Sequence, residues 1–222
     1  MEWAEWNRRG LIPGPTEGEE SFLDRVKLAE RVSDGEVGLY GISPDWVEMR
    51  ESDRGLMPWH GAVMTTDGSK AALQIRRRLP WGYDRDELIA HELAHAGRCA
   101  FNEPVFEEFF AYRLSRRHWR RFLGPIIGHS WEVWVLPAAM AAGAWLPLLP
   151  PAVIIFGFTR LIWRHWTLRR CIRSLYKSVG SRAWEVAYRL TDREIRAAAK
   201  GRLRSDDSLR WRMINAVYEL SY

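Results

Sequence analysis

The chain has 222 residues, 47% hydrophobic and 27% charged, with a net charge of +5 and two cysteines. A chain of this length can hold one compact soluble domain plus an anchor and a small tail domain, and two distant cysteines exclude a disulfide framework. Charge is unevenly spread: residues 1–100 carry 13 basic and 18 acidic side chains, whereas residues 160–222 carry 15 and 6.

The first residues, Met1-Glu2-Trp3-Ala4-Glu5, are acidic and lack a basic, apolar leader, so no cleavable signal is expected. Pro13, Gly14, Pro15 and Gly18 predict a loop over residues 10–22, followed by a helix from Ser21 to Val32. Gly61 to Ile75 reads as a β-hairpin, with Asp67-Gly68 suited to a type I′ turn. The strand Lys70 to Arg76, or its partner, can serve as an edge on which an extended peptide adds by main-chain hydrogen bonds; equally, the hairpin can simply cover a core.

His91-Glu92-Leu93-Ala94-His95 carries the chemistry. Positions i and i+4 lie one turn apart on one helix face, so His91 and His95 can reach one metal ion, with Glu92 beside them as a base for water. Asp84 and Glu87 read as a capping box, and Gly97 as the helix end, which predicts a helix from Arg85 to Gly97. A hydrolytic zinc site needs a third protein ligand and one open position. Downstream, Asn102-Glu103-Pro104 reads as a helix start with Asn102 as N-cap, leading into Val105-Phe106-Glu107-Glu108-Phe109-Phe110-Ala111-Tyr112. Adjacent glutamates in an aromatic run call for a metal or a positive partner. Glu108, Ala111, Tyr112 and Ser115 form one stripe whose small residues allow close helix approach, which favours Glu108; Glu107 and Glu103 stay open as alternatives.

These residues resemble the glutamate-zincin metallopeptidases, which pair an HExxH helix with a Glu-x-x-Ala element, here Glu108-Phe109-Phe110-Ala111. The likeness is greatest to membrane-anchored zinc peptidases of the quality-control type, although Tyr112 stands where their motif has aspartate. The resemblance covers about residues 84 to 116. It implies Zn2+ held by His91, His95 and Glu108, water activated by the metal, Glu92 as general base, and an oxyanion donor for which Tyr112, His60 and Arg113 are nominees. The His2Glu set favours zinc over manganese or iron.

From Trp131 to Trp163 the only charges are Glu132 and Arg160. Thirty-three positions are long for one spanning helix of about 20 residues and short for two. Pro147, Pro150 and Pro151 predict two short helices joined by a turn. Arginines 113, 116, 117, 120 and 121 precede the segment and arginines 160, 164, 169 and 170 follow it, which puts both flanks on the cytoplasmic side of a two-pass or re-entrant membrane hairpin. Trp119, Trp131, Trp134, Trp163 and Trp166 suit an interfacial belt, and His118, His129 and His165 flank it. Beyond it, Trp163 to Val179 predicts a basic amphipathic helix, Thr191 and Glu194 a capping box for a helix ending near Gly201, and Ser205-Asp206-Asp207 the start of the last helix.

The expected fold is therefore α+β and predominantly helical: a zincin-like domain over 1–125, a membrane hairpin over 126–163, and a basic helical region over 164–222. The expected function is a membrane-anchored, zinc-dependent endopeptidase of the inner or cytoplasmic membrane, with its catalytic domain and C-terminus in the cytoplasm. Its partners would be a protein or peptide substrate near the membrane surface and anionic lipid headgroups; no recognition pattern points to nucleic acid. A reducing compartment fits Cys99 and Cys171. Two other readings stand beside this one: a non-catalytic membrane scaffold with an inert HELAH helix, and a zinc hydrolase acting on a small amide or lipid-linked substrate.

Overall fold

The computed structural model describes residues 2–29, 32, 40–57, 60–67, 70–79 and 82–219. Among these residues ten α-helices and three strands follow in order: α1 (Glu2–Arg8), α2 (Glu19–Leu28), β1 (Val47–Glu51), β2 (Ala62–Asp67), β3 (Lys70–Ile75), α3 (Arg85–Ala96), α4 (Pro104–Arg113), α5 (His118–Leu123), α6 (Val135–Ala142), α7 (Leu149–Val179), α8 (Ala183–Tyr188), α9 (Asp192–Ala199) and α10 (Leu209–Tyr218). The fold is α+β and mostly helical, as the sequence predicts.

The predicted hairpin is present: β2 and β3 pair antiparallel, with Ala62 opposite Ile75 and Asp67 opposite Lys70. Its Asp-Gly turn lies outside the described residues. The sequence gives no warning of β1, which pairs parallel with β3 and sets the order β1-β3-β2. That order leaves β3 in the centre and β2 at an edge.

One core unites the sheet, the α3–α4 pair and the C-terminal helices, with Leu73, Ile75, Leu93, Phe106, Phe110, Leu168, Cys171, Tyr188 and Trp211 all buried within it. Burial of each such large apolar side chain contributes about 1.5–3 kcal/mol. A smaller cluster of Phe22, Leu209 and Met213, packed against Trp3 and Trp6, ties α1 and α2 to α10.

Helix α7 runs without a break across residues that read as two separate helices. Pro150 and Pro151 sit in its first turn, where a missing N–H costs nothing, so the expected turn between two helices is present and the second helix continues to Val179. Its second half is a core helix: Leu161, Leu168, Cys171 and Leu175 form a buried stripe at helical spacing. Its first half folds back on α6 with its apolar side chains exposed. No helix of the described residues is long and apolar enough to cross a membrane; α6 has only eight residues. Around the turn between α6 and α7, Trp145 is 81% and Leu148 80% exposed.

Several helix ends differ from expectation. Thr191 and Glu194 form the complete predicted box, but the last helix is capped by Ser208 instead of the Ser205-Asp206-Asp207 run. Asn102 does not cap α4. It takes φ +50°, a left-handed conformation that asparagine tolerates, and Glu103 occupies the N-cap position.

Candidate metal centre

Helix α3 begins at Asp84, whose side chain accepts the Glu87 N–H. Glu87 does not return to complete the predicted box. Its carboxylate accepts the Arg116 N–H at 3.0 Å and Arg120 Nη1 at 2.8 Å, tying the start of α3 to α5 and the turn before it. At the other end, Gly97 keeps a right-handed conformation. Glycine is needed there because a Cβ would collide with the Tyr188 hydroxyl and Ile42. The Tyr188 hydroxyl donates to the Ala94 carbonyl at 2.6 Å, so α8 holds the last turn of α3 directly.

Helix α4 is held by residues nearly ninety positions away. Its first free amides, Val105 N and Phe106 N, donate to the Asp192 carboxylate at 3.1 and 3.3 Å, while Glu103 accepts the Asp192 N–H in return. The starts of α4 and α9 thus cap each other, and the carboxylates sit at the positive ends of both helices. Farther along α4, the Tyr40 hydroxyl donates to the Phe110 carbonyl at 2.7 Å, and Tyr40 stacks on Tyr188.

Between the two helices, His91, His95 and Glu108 bring one donor atom each within 4.8 Å of one another. His91 Nε2 and His95 Nε2 are 3.3 Å apart, and each is 3.7 Å from a Glu108 oxygen. Ligands around a tetrahedral zinc stand about 3.3–3.4 Å apart at bond lengths of ~2.0–2.1 Å; the two imidazole nitrogens have that spacing, and the two Glu108 oxygens face one histidine each. The adjacent glutamates divide the work. Glu107 Oε1 accepts the His95 Nδ1 proton at 2.7 Å, which fixes the tautomer that turns Nε2 toward the cluster. Glu103 is committed to the cap on α9.

The electrostatics follow from this crowding. Burial, aided by the nearby His95 and Arg120 charges, pushes the His91 pKa down to about 3, so this ring is neutral and ready to bind metal. For His95, burial acts in the same direction but is outweighed by the Glu107 hydrogen bond and the carboxylates of Glu108, Glu107 and Glu92, which raise it to about 9. Glu108 is raised to about 7 by burial and by Glu107 and Glu92, against the pull of His95. Burial also raises Glu92, opposed by His95 and by the Met64 N–H bonded to its carboxylate.

Met64 was not singled out by sequence. The Arg76 N–H donates to the Gly61 carbonyl at 2.9 Å, so Gly61 and Arg76 form a hydrogen-bonded pair. Alternation along β2 then turns the peptide groups of Ala62 and Met64 to the free edge, beside Glu92. The edge expected over the metal helix is therefore β2; β3 is paired on both sides. A cavity of about 180 Å³ opens beside the cluster, lined among others by His60, His91, Glu92, Tyr112 and Arg120. Tyr112 lies against the His91 ring at 4.6 Å, backed by Gly124, where a Cβ would strike its ring. Of the three oxyanion nominees, Tyr112 and His60 line this cavity. Arg113 does not: its guanidinium stacks on Trp184 on another face of α4. Arg120 lines the cavity without having been nominated.

No protein-family model, curated protein or solved structure matches the chain.

Proposed function

We propose that the chain is a zinc-dependent endopeptidase acting on protein segments at a membrane surface. The observation that carries this reading is the convergence of His91, His95 and Glu108 donor atoms at 3.3–3.7 Å, with Glu92 next to them and an open strand edge alongside. A zinc ion held by these three residues would supply a Lewis acid and lower the pKa of water bound to it. The remaining work falls to side chains. Glu107 orients His95. An extended substrate adds to β2 through the outward peptide groups of Ala62 and the Met64 carbonyl, the Met64 N–H being held by Glu92. Glu92, its pKa raised by burial, takes the proton of the attacking water and delivers it to the leaving amine. The Tyr112 hydroxyl and His60 line the cavity on the side where the carbonyl oxygen would build up charge.

The membrane part of the proposal rests on the α6–α7 hairpin. From Leu149 to Arg160, α7 rises ~16 Å, and α6 rises ~12 Å, at about 1.5 Å per residue. Half of a hydrocarbon core of about 30 Å is ~15 Å, so the hairpin suits insertion into one leaflet as a re-entrant anchor, without crossing. At its base Arg160 and Glu132 neutralise each other at 2.7 Å, and the flanking arginines favour the cytoplasmic face.

The test is metal content by mass spectrometry on detergent-purified protein, with proteolysis of an unstructured protein substrate measured in parallel. We expect about one zinc per chain, lost in Glu108→Gln. Glu92→Gln should keep its zinc and lose hydrolysis by ~10²–10⁴-fold. Absence of bound zinc after reconstitution, or full activity in Glu92→Gln, would overturn the proposal and leave a non-catalytic scaffold.

A further inference from the structure

A second pocket, of about 250 Å³, lies on another face of α4 and concentrates positive charge. Arg113, Arg121 and Arg169 surround it together with His118 and His165, and aromatic rings form its walls. No carboxylate of the described residues lines it. Arg9, Arg25, Arg120, Arg160 and Arg210 each hold a carboxylate at 2.7–2.8 Å; among the described residues Arg113, Arg121 and Arg169 have no such partner. Two of the three are fixed in advance. The Arg113 guanidinium sits 3.6 Å from the centre of the Trp184 ring, and Arg121 Nε donates to the Ser115 carbonyl at 2.5 Å. Burial lowers the Arg113 pKa, opposed by Tyr40 and aided by the like charge of Arg121.

What the pocket faces along α7 narrows the ligand. His165 and Arg169 continue a helical stripe that begins with Ile155, Phe158 and Ile162, spaced at three and four residues. Those three apolar side chains are 66%, 42% and 56% exposed. From Ile155 to Arg169 the stripe is ~21 Å long at about 1.5 Å per residue. One leaflet, headgroups included, is ~20–22 Å thick.

We infer that this pocket binds the phosphate of an anionic phospholipid, whose acyl chains lie along the Ile155–Phe158–Ile162 stripe. Guanidinium groups match phosphate oxygens with paired N–H donors, and the aromatic walls strengthen that attraction by excluding water. The inference rests on the one-leaflet reading of the hairpin.

The experiment uses the full chain and two vesicle compositions, pure phosphatidylcholine and phosphatidylcholine with 30% phosphatidylglycerol, plus native mass spectrometry of lipid retained in detergent. The wild type should bind both vesicles, prefer the anionic one at least tenfold, and retain one phosphatidylglycerol. Arg113→Gln with Arg169→Gln should remove the retained lipid and most of that preference while leaving phosphatidylcholine binding unchanged. Arg113→Lys with Arg169→Lys should restore part of it, and Arg170→Gln with Arg173→Gln, which changes the same charge outside the pocket, should keep the retained lipid. Zinc content, unchanged in every variant, reports an intact fold. Equal losses in the two Gln pairs, or no preference for the anionic lipid, overturns the pocket. Displacement of the lipid by millimolar inorganic phosphate, with no dependence on the acyl chains, assigns the site to free phosphate instead. Failure of the wild type on both vesicles tells against the hairpin reading itself.

Discussion

Helix α4 and the α6–α7 hairpin are built from the same kinds of residue and treat them in opposite ways. Phe106, Phe109 and Phe110 of α4 are all buried, and the Val105 and Phe106 amides and the Phe110 carbonyl beside them each have a named partner. In the hairpin, Trp134, Trp145, Leu148 and Phe156 stand in the open, beside few polar groups at all. The contrast teaches that the same residue types build a core in one region and stay outside it in the other. The metal helices are organised by burial and hydrogen bonding against a protein core. The hairpin leaves its apolar surface exposed, which is the surface the proposed membrane anchor would use.

The contrast breaks if changes in one region disturb the other. The largest separable effect is expected at Glu107. Glu107→Gln should weaken zinc binding 10–100-fold by removing the carboxylate that orients His95, yet leave the site able to load at high zinc, unlike Glu108→Gln. Competition with a chromophoric chelator reads both. In the hairpin, Trp145→Glu with Leu148→Glu should lower vesicle binding more than tenfold while thermal stability of the detergent-free protein stays within about 0.5 kcal/mol. A stability loss of several kcal/mol would mean that the hairpin packs against the protein after all.

Asp192→Ala should cost about 1–2 kcal/mol, because it removes the cap from α4 and leaves two amides unpaired. Chemical denaturation measures that loss, and zinc affinity should fall with it, since Glu108 rides on α4. The smallest effect is a proton count. His95, with a pKa of about 9 in the metal-free site, must give up a proton to bind metal, whereas His91, at about 3, is already neutral. Calorimetry at pH 8 in buffers of different ionisation enthalpy should therefore find about one proton released per zinc, falling toward zero above pH 9. The sign for stability is opposite. The raised His95 pKa stabilises the metal-free fold fully below about pH 6.5, and that contribution is lost as pH rises through 9. The metal-free protein should weaken over the range in which it binds zinc more tightly.

Local pattern carried much of the site. The i, i+4 histidines, the Asp84 cap, and the stripe of Glu108, Ala111, Tyr112 and Ser115 turned toward α3 were all legible, since each depends on helical spacing alone. What could not be read was long-range. Asp192 capping α4, Tyr188 bonding Ala94 and Met64 meeting Glu92 join segments whose meeting depends on the whole fold, and no short motif encodes them. Glu87 shows how a local rule loses: the box partner was available, but the Arg120 guanidinium, joined by the Arg116 backbone N–H, offered a stronger set of bonds. The prolines marked the turn between two helices correctly; what they did not show is that the second helix continues to Val179.

The reciprocal cap between α4 and α9 also imposes an order on biosynthesis. Helices α3 and α4 leave the ribosome early, but Glu108 has its supporting helix only after Asp192 has emerged and folded against Glu103. The apolar hairpin, residues 131–163, is translated in the interval. The apolar hairpin is thus exposed to its surroundings before the His91–His95–Glu108 cluster is assembled.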